Sequence, residues 1–123
     1  MIILGDEIVP CENICFISTI DEIGNTKANS TLLFFYDVEL LKYVFENSLP
    51  SAVIVKSLKD AIYCNSLNVK YIVSEKNLAI QIQKIADSYM YDSKNIAIIN
   101  SNEEFEHIAK DEIDGVIYRN LIK

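Results

Sequence analysis

Short apolar runs alternate with longer amphipathic stretches along the whole chain. Residues 52–55 form one uninterrupted apolar run. The run is too short for a helix and rich in β-branched side chains, which is typical of a strand buried on both faces. Ser57 and Asp60 follow with the spacing of a capping box, which predicts a helix start, and Asn68 is a typical helix stop. A second β-branched run at 71–73 closes a strand–helix–strand unit, so the pattern predicts a parallel α/β fold.

Runs of the same kind predict the other elements of the fold. Strands are predicted at 14–17, 31–36, 52–55, 71–73, 96–99 and 115–118, with a short edge strand at 2–4. Helices are predicted at about 18–24, 38–48, 57–68 and 76–89, and a last helix is capped by Ser101 and Glu104. On the helix at 76–89, the residues that share one stripe and are predicted to face the core are Leu78, Ile82, Ile85 and Tyr89.

The residues just past the predicted strands recur with a fixed period. Positions 19 apart are Ser18, Asp37, Lys56 and Glu75, and Arg119 lies 19 beyond Asn100. A period near 20 raises the question of a solenoid. The leucine-rich pattern of that class is missing, however, and each unit here carries a capped helix of its own. We therefore interpret the period as stacked strand–helix units within one sheet.

Two architectures satisfy this pattern. The first is an open parallel sheet of five or six strands with helices on both faces, of the flavodoxin or Rossmann type. It is favoured because it is the more common of the two architectures. The second is a (βα) half-barrel in which the strands follow one another in sequence order. Right-handed crossovers hold in both, so handedness does not choose between them. In either case we expect one α/β domain spanning 1–123.

Composition and charge narrow the classes of function. Half of the 123 residues are hydrophobic, and 11 basic against 18 acidic residues give a formal net charge of −7. This balance argues against a nucleic-acid partner and against an anionic membrane surface. No apolar stretch approaches the roughly 20 residues that span a bilayer, and the start lacks the basic segment of a secretory signal. Three cysteines, an odd number, fit reduced thiols, so we predict a cytoplasmic location.

The predicted strand ends carry a candidate site. In parallel α/β sheets, ligands bind outside the carboxyl ends of the strands, and these ends present Asp37, Lys56, Glu75 and Arg119. Lys56 and Arg119 would hold an anionic substrate there, and a carboxylate would serve as general base. Alternatively, Asp37 caps a helix and the other charges pair on a solvated surface. The second interpretation is favoured because caps are expected at these positions in any case.

Other catalytic and metal-binding patterns are missing. With three glycines, the chain has neither a dinucleotide-binding nor a Walker loop. The residues with the right chemistry for zinc are Cys11, Cys15, Cys64 and His107, but the spacing does not match a zinc site. Buried cysteine acting as a small apolar side chain is favoured instead. The sequence predicts no metal and no cofactor and leaves open whether the protein is an enzyme.

Four side chains fall off the core faces of their predicted helices: Tyr43, Tyr63, Ile80 and Tyr91. Aromatic side chains of this kind are enriched at protein interfaces. The sequence therefore favours a non-catalytic protein-binding or regulatory module that forms a homodimer, with the helix at 76–89 as the pairing element and a protein partner also possible. The alternative function is a protein or enzyme that binds an anionic metabolite at the strand ends.

Overall fold

The computed structural model describes all 123 residues and contains one seven-stranded sheet. The strands are β1 (Ile2–Leu4), β2 (Ile14–Phe16), β3 (Thr31–Phe35), β4 (Ser51–Ile54), β5 (Tyr71–Ser74), β6 (Lys94–Ile99) and β7 (Gly115–Tyr118). Their order is β1-β7-β6-β5-β4-β3-β2, and all six pairings are parallel. The α/β class is confirmed, and the predicted count of five or six strands is corrected to seven because 2–4 forms a paired strand.

Four α-helices and three 3-10 helices connect the strands. The α-helices are α1 (Val38–Glu46), α2 (Leu58–Ser66), α3 (Lys76–Tyr89) and α4 (Phe105–Lys110). The 3-10 helices span Ile20–Asn25, Asn102–Glu104 and Arg119–Leu121. None of the helices combines the length and the apolar character needed to cross a bilayer.

The predicted helix caps are present. The Asp37 carboxylate accepts the N–H of Leu40 at 3.0 Å at the start of α1. The Ser57 hydroxyl accepts the N–H of Asp60 at 3.1 Å at the start of α2. Ser101 and Glu104 form the predicted capping box at the start of the last helical segment. At these three places the short-range signal ends a strand segment and begins the helix after it, whereas α3 begins without a side-chain cap.

The sheet curls into the half-barrel that was the second of the two predicted architectures. From β3 to β7 each strand lies beside its predecessor in sequence. Right-handed crossovers between sequential parallel strands bring every connecting helix to the same side of the sheet. The buried residues of α1 to α4 accordingly pack against a single face, and the favoured arrangement with helices on both faces is wrong.

Side chains of alternate strand positions therefore fill two different cores. On β3, Leu32 and Phe34 lie in the convex core beneath the helices, whereas Leu33 lies in the concave core. The concave core contains no α-helical residue, and its strand side chains are at most 5% exposed. Leu121 and Ile122, at and after the last 3-10 helix, pack against it. The hollow of the half-barrel is thus filled by its own side chains rather than left open as a cavity.

Helix α3 has the predicted length, and Leu78 and Ile82 pack against the convex core as predicted, but the buried face is rotated away from the rest of the predicted stripe. Its buried residues are Ala79, Ile82, Gln83 and Ala86, whereas Tyr89, predicted in the core, is 77% exposed. The small alanine side chains let the helix backbone approach the sheet closely. The side-chain amide of Asn95 on β6 donates a hydrogen bond to Gln83 Oε1 at 3.0 Å, which holds this face inward.

This rotation also changes two residues that were predicted to lie outside the core. Ile80 is half-buried and packs against the core beneath α3 and α4. Tyr91 is half-buried and packs against the larger convex core. The expectation that both side chains point away from the core is therefore wrong, although their predicted role in an interface remains a prediction.

Candidate functional site

The predicted strand-end residues form the layer above the concave core. Ile54 of β4 is level with Phe35 of β3 and with Val73 of β5. Two residues further along each strand, the same register places Asp37, Lys56 and Glu75 side by side. Because side chains alternate across a strand, these three follow the concave face. The period of 19 in the sequence thus corresponds to one structural layer.

Arg119 joins this layer from β7 and makes its strongest contacts with Glu75. Its Nη1 and Nη2 atoms donate to the two oxygens of the Glu75 carboxylate at 2.9 and 2.7 Å, and its Nε atom donates to Asn100 Oδ1 at 3.0 Å. These hydrogen bonds lower the pKa of the Glu75 carboxyl and raise the pKa of the Arg119 guanidinium. The Arg119 guanidinium, which was predicted to bind an anionic substrate, therefore binds the Glu75 carboxylate of the same chain.

Lys56 and Asp37 are not drawn into this ion pair. Asp37 is engaged as the cap of α1. Lys56 is exposed and has neither an ion pair nor a side-chain hydrogen bond, since the two ion pairs of the protein join other residues. The structure thus brings Glu75 and Arg119 into contact and leaves Lys56 beside them as an unpaired cation.

Two shallow clefts open next to Arg119 at the ends of β6, β7 and β1. One, of about 350 Å³, is lined by Asn100, Tyr118, Arg119 and Asn120. The other, of about 320 Å³, shares three of these residues and extends to Gly5, Asp6 and Glu7. Both clefts are lined by the side-chain amides of Asn100 and Asn120, and the second also contains the carboxylates of Asp6 and Glu7.

A short hydrogen bond shapes the second cleft. The Tyr118 hydroxyl donates to Asp6 Oδ1 at 2.5 Å. This bond lowers the pKa of the Asp6 carboxyl and raises the pKa of Tyr118 to about 12. Asp6 therefore stays a carboxylate and Tyr118 stays a neutral donor at physiological pH.

A polar cluster that the sequence did not predict lies at the opposite end of the sheet. Glu12, just before β2, accepts hydrogen bonds from Lys70 Nζ at 2.5 Å, from the Tyr71 hydroxyl at 3.0 Å and from the Thr31 hydroxyl at 3.2 Å. Burial alone would raise the pKa of the Glu12 carboxyl, but the bonds from Lys70 and Tyr71 outweigh it and lower the pKa. The partners lie 19 to 59 positions away along the chain, so no local pattern could reveal the cluster.

The cysteines occupy three different environments. Cys11 is exposed and Cys15 is half-buried, whereas Cys64, a residue of α2, is buried in the convex core. Burial, with a smaller contribution from Asp60, raises the pKa of the Cys64 thiol to about 12. No three His, Cys, Asp or Glu side chains lie together as metal ligands would.

Apolar side chains are exposed on two neighbouring helices. The α1–α2 surface, as we term it, consists of Val38, Phe45, Ile62 and Tyr63, which are 44% to 53% exposed. Phe45 also lines a cleft of about 350 Å³ at the carboxyl ends of these helices, together with Leu49 and Leu67. Of the four predicted interface residues, Tyr63 belongs to this surface and Tyr43 is half-buried on α1.

No protein-family model matches the sequence, and no curated protein is similar to it.

Proposed function

We propose that the chain is a non-catalytic cytoplasmic protein-binding module that self-associates through its α1–α2 surface. The observation that carries the proposal is the grouping of four half-exposed apolar side chains on adjacent helices. Single exposed apolar residues are normal on a monomer, whereas several of them on neighbouring helices are typical of an interaction site. Covering them with a second copy removes apolar area from water at about 25 cal/mol per Å².

The strand ends offer less support for catalysis. The concave core beneath them is filled, and the Glu75 carboxylate is bound to Arg119 instead of being free as a general base. A candidate base has to reach the proton that it abstracts, directly or through one water molecule. The binding function is therefore better supported than an enzymatic one.

The charges on α1 and α2 fit a second copy of the same chain. Glu39 is the second residue of α1 and Lys59 is the second residue of α2; both are exposed and neither is in an ion pair. A twofold axis parallel to the helices would lay α1 of one protomer over α2 of its partner. Glu39 and Lys59 would then face each other twice, as a self-complementary interface requires.

Solution mass tests the proposal directly. Light scattering should give twice the chain mass for the wild type, and Phe45→Glu with Tyr63→Glu should give one chain mass with an unchanged circular dichroism spectrum. The matched control is Tyr89→Glu with Met90→Glu, since these side chains are 77% and 83% exposed at the end of α3. The control variant should remain dimeric. A wild type that stays monomeric at millimolar concentration contradicts self-association.

Charge reversal tests the orientation of the two copies. Glu39→Lys or Lys59→Glu alone should weaken the dimer, because each creates two like-charge pairs across the interface. The double variant restores opposite charges and should recover wild-type dimerisation. If the double variant is as weak as the sum of the single changes, the two side chains do not face each other, and the proposed axis is wrong.

A further inference from the structure

A second site, independent of self-association, is built around Arg119. Its guanidinium faces the cleft of about 350 Å³ that Asn100, Tyr118 and Asn120 also line. Arginine recognises carboxylates through two parallel hydrogen bonds. Glu75 makes these two bonds now, so the site is already occupied by a group of the chemistry that it would bind.

Glu75 has a second cation within reach. Lys56 lies just past β4 and Glu75 just past the neighbouring strand β5. Each lies two residues beyond one of the paired residues Ile54 and Val73, so the two are level and follow the same face. Adjacent strands lie about 4.8 Å apart, so the two side chains can meet across that gap. Lys56 is exposed and unpaired. If the Glu75 carboxylate separated from Arg119, it could form an ion pair with Lys56 instead.

We propose that this cleft binds the carboxylate of a small polar molecule on Arg119, and that Glu75 passes from Arg119 to Lys56 when it binds. The exchange keeps every charge paired: one ion pair and a free lysine become two ion pairs. Breaking the ion pair between Glu75 and Arg119 costs little free energy, because exposed ion pairs contribute little to stability. The side chains of Glu75 and Arg119 are 62% and 48% exposed.

The adjoining cleft narrows the class of ligand. It carries the carboxylates of Asp6 and Glu7 next to the amide of Asn102. Carboxylates repel a second anionic group but accept hydrogen bonds from a hydroxyl or an ammonium group. The site therefore fits a hydroxy- or amino-carboxylate better than a phosphate ester or a dicarboxylate.

Nuclear magnetic resonance titration with lactate as the probe tests the site. The side-chain amide signals of Asn100 and Asn120 should shift to saturation in the wild type and stay still in Arg119→Gln. Glu75→Gln removes the internal competitor and should bind lactate about two- to fivefold more tightly, the range expected for an exposed ion pair. Lys84→Gln, which removes one exposed positive charge elsewhere, is the matched control and should bind as the wild type does.

A double-mutant comparison tests the exchange. Lys56→Gln should weaken lactate binding in the wild-type background, because Glu75 then has no second partner. It should have no effect in the Glu75→Gln background. If the amide signals still shift to saturation with lactate in Arg119→Gln, the proposed site is wrong. It is also wrong if they do not shift in either the wild type or Glu75→Gln. Equal affinities of the wild type and Glu75→Gln, or a Lys56 effect that persists without Glu75, would overturn the exchange.

Discussion

The Glu12 side chain forms hydrogen bonds with residues that are far from it in the sequence. It precedes β2, at one edge of the sheet, yet it bonds Lys70 and the hydroxyl of Tyr71, where β5 begins. Tyr71 is only 5% exposed, so its hydroxyl depends on Glu12 for a hydrogen-bond partner. Leaving such a buried group unsatisfied costs more than the bond itself contributes.

Replacing Glu12 should therefore make stability less dependent on pH. The folded protein holds the pKa of Glu12 below the ordinary value of 4.5, so its ionisation stabilises the fold above that pH, and the contribution is lost as pH falls. Glu12→Gln should lower the free energy of unfolding by about 1–3 kcal/mol at pH 7. The difference from the wild type should shrink below pH 4.5.

Urea unfolding at several pH values measures this effect. Glu7→Gln is the control, because Glu7 is exposed and has no side-chain hydrogen bond. A Glu12→Gln difference that stays constant down to pH 3 would mean that the carboxylate charge plays no part in the cluster.

The strand-end residues illustrate what a sequence reveals about a site. Asp37, Lys56 and Glu75 could be placed in one layer because a strand and a helix of regular length repeat every 19 residues. The bond from Arg119 to Glu75 could not be predicted in the same way. It depends on the register between strands and on the curl of the sheet, neither of which leaves a local pattern.

At the scale of elements, Gly115 decides how β1 joins the sheet. A Cβ atom at this position would lie 2.7 Å from Ile2 Cβ and 2.9 Å from Ile96 Cδ1, and closer still to the carbonyl oxygen of Ile2. Real Cβ atoms do not approach backbone so closely, and strands that pack this tightly require glycine. The residue thus allows β1 to pair with β7.

Gly115→Ala should therefore loosen β1 and destabilise the protein by about 1–3 kcal/mol, the usual cost of overpacking. Thermal unfolding measures the loss, and hydrogen exchange at the amide of Leu4 reports on β1. Gly24→Ala is the control, because a Cβ atom at Gly24 would meet nothing within 4 Å. If the two variants are equally stable, the contact with Ile2 does not limit the packing of β1.

Helix α3 shows where element-level prediction fails. Its predicted bounds of 76–89 match the structure, whereas only part of its buried face followed from its apolar stripe. Ala79 and Ala86 face the sheet because they are small, and Gln83 is buried because it bonds Asn95 at 3.0 Å. A periodicity argument that counts only large apolar residues finds Ile82 on this face but cannot detect the two alanines and the hydrogen-bonded amide beside it.

At the scale of the whole molecule, the concave core is the test of the half-barrel. Ile98 is 5% exposed within it, on the face that no α-helix covers. Ile98→Ala should cost about 2–5 kcal/mol through cavity formation, measured by urea unfolding. Ile8→Ala is the control, because Ile8 is 85% exposed. A loss below about 1 kcal/mol for Ile98→Ala would indicate that this face is not a packed core.

The sequence predicted strand and helix positions along most of the chain, but it left strand order open. Each strand–helix unit is determined by neighbours within about 20 residues, as in the unit from Ser51 to Ser74. Strand order depends on which edge each new strand joins, and right-handed crossovers permit both of the predicted architectures. The pairing of the short β1 with β7 could not be predicted, because it leaves no pattern in the sequence near Ile2.

That pairing has a consequence for how the sheet assembles. Strands β3 to β7 each lie beside the strand just before them, so each of these pairings closes only a short loop. Ile2 and Gly115, by contrast, are neighbours across almost the entire chain. Closing so long a loop costs more entropy than any other step, and β1 has no binding edge until β7 is in place. We therefore expect β1, although it comes first in this sequence, to be the last strand to join the sheet.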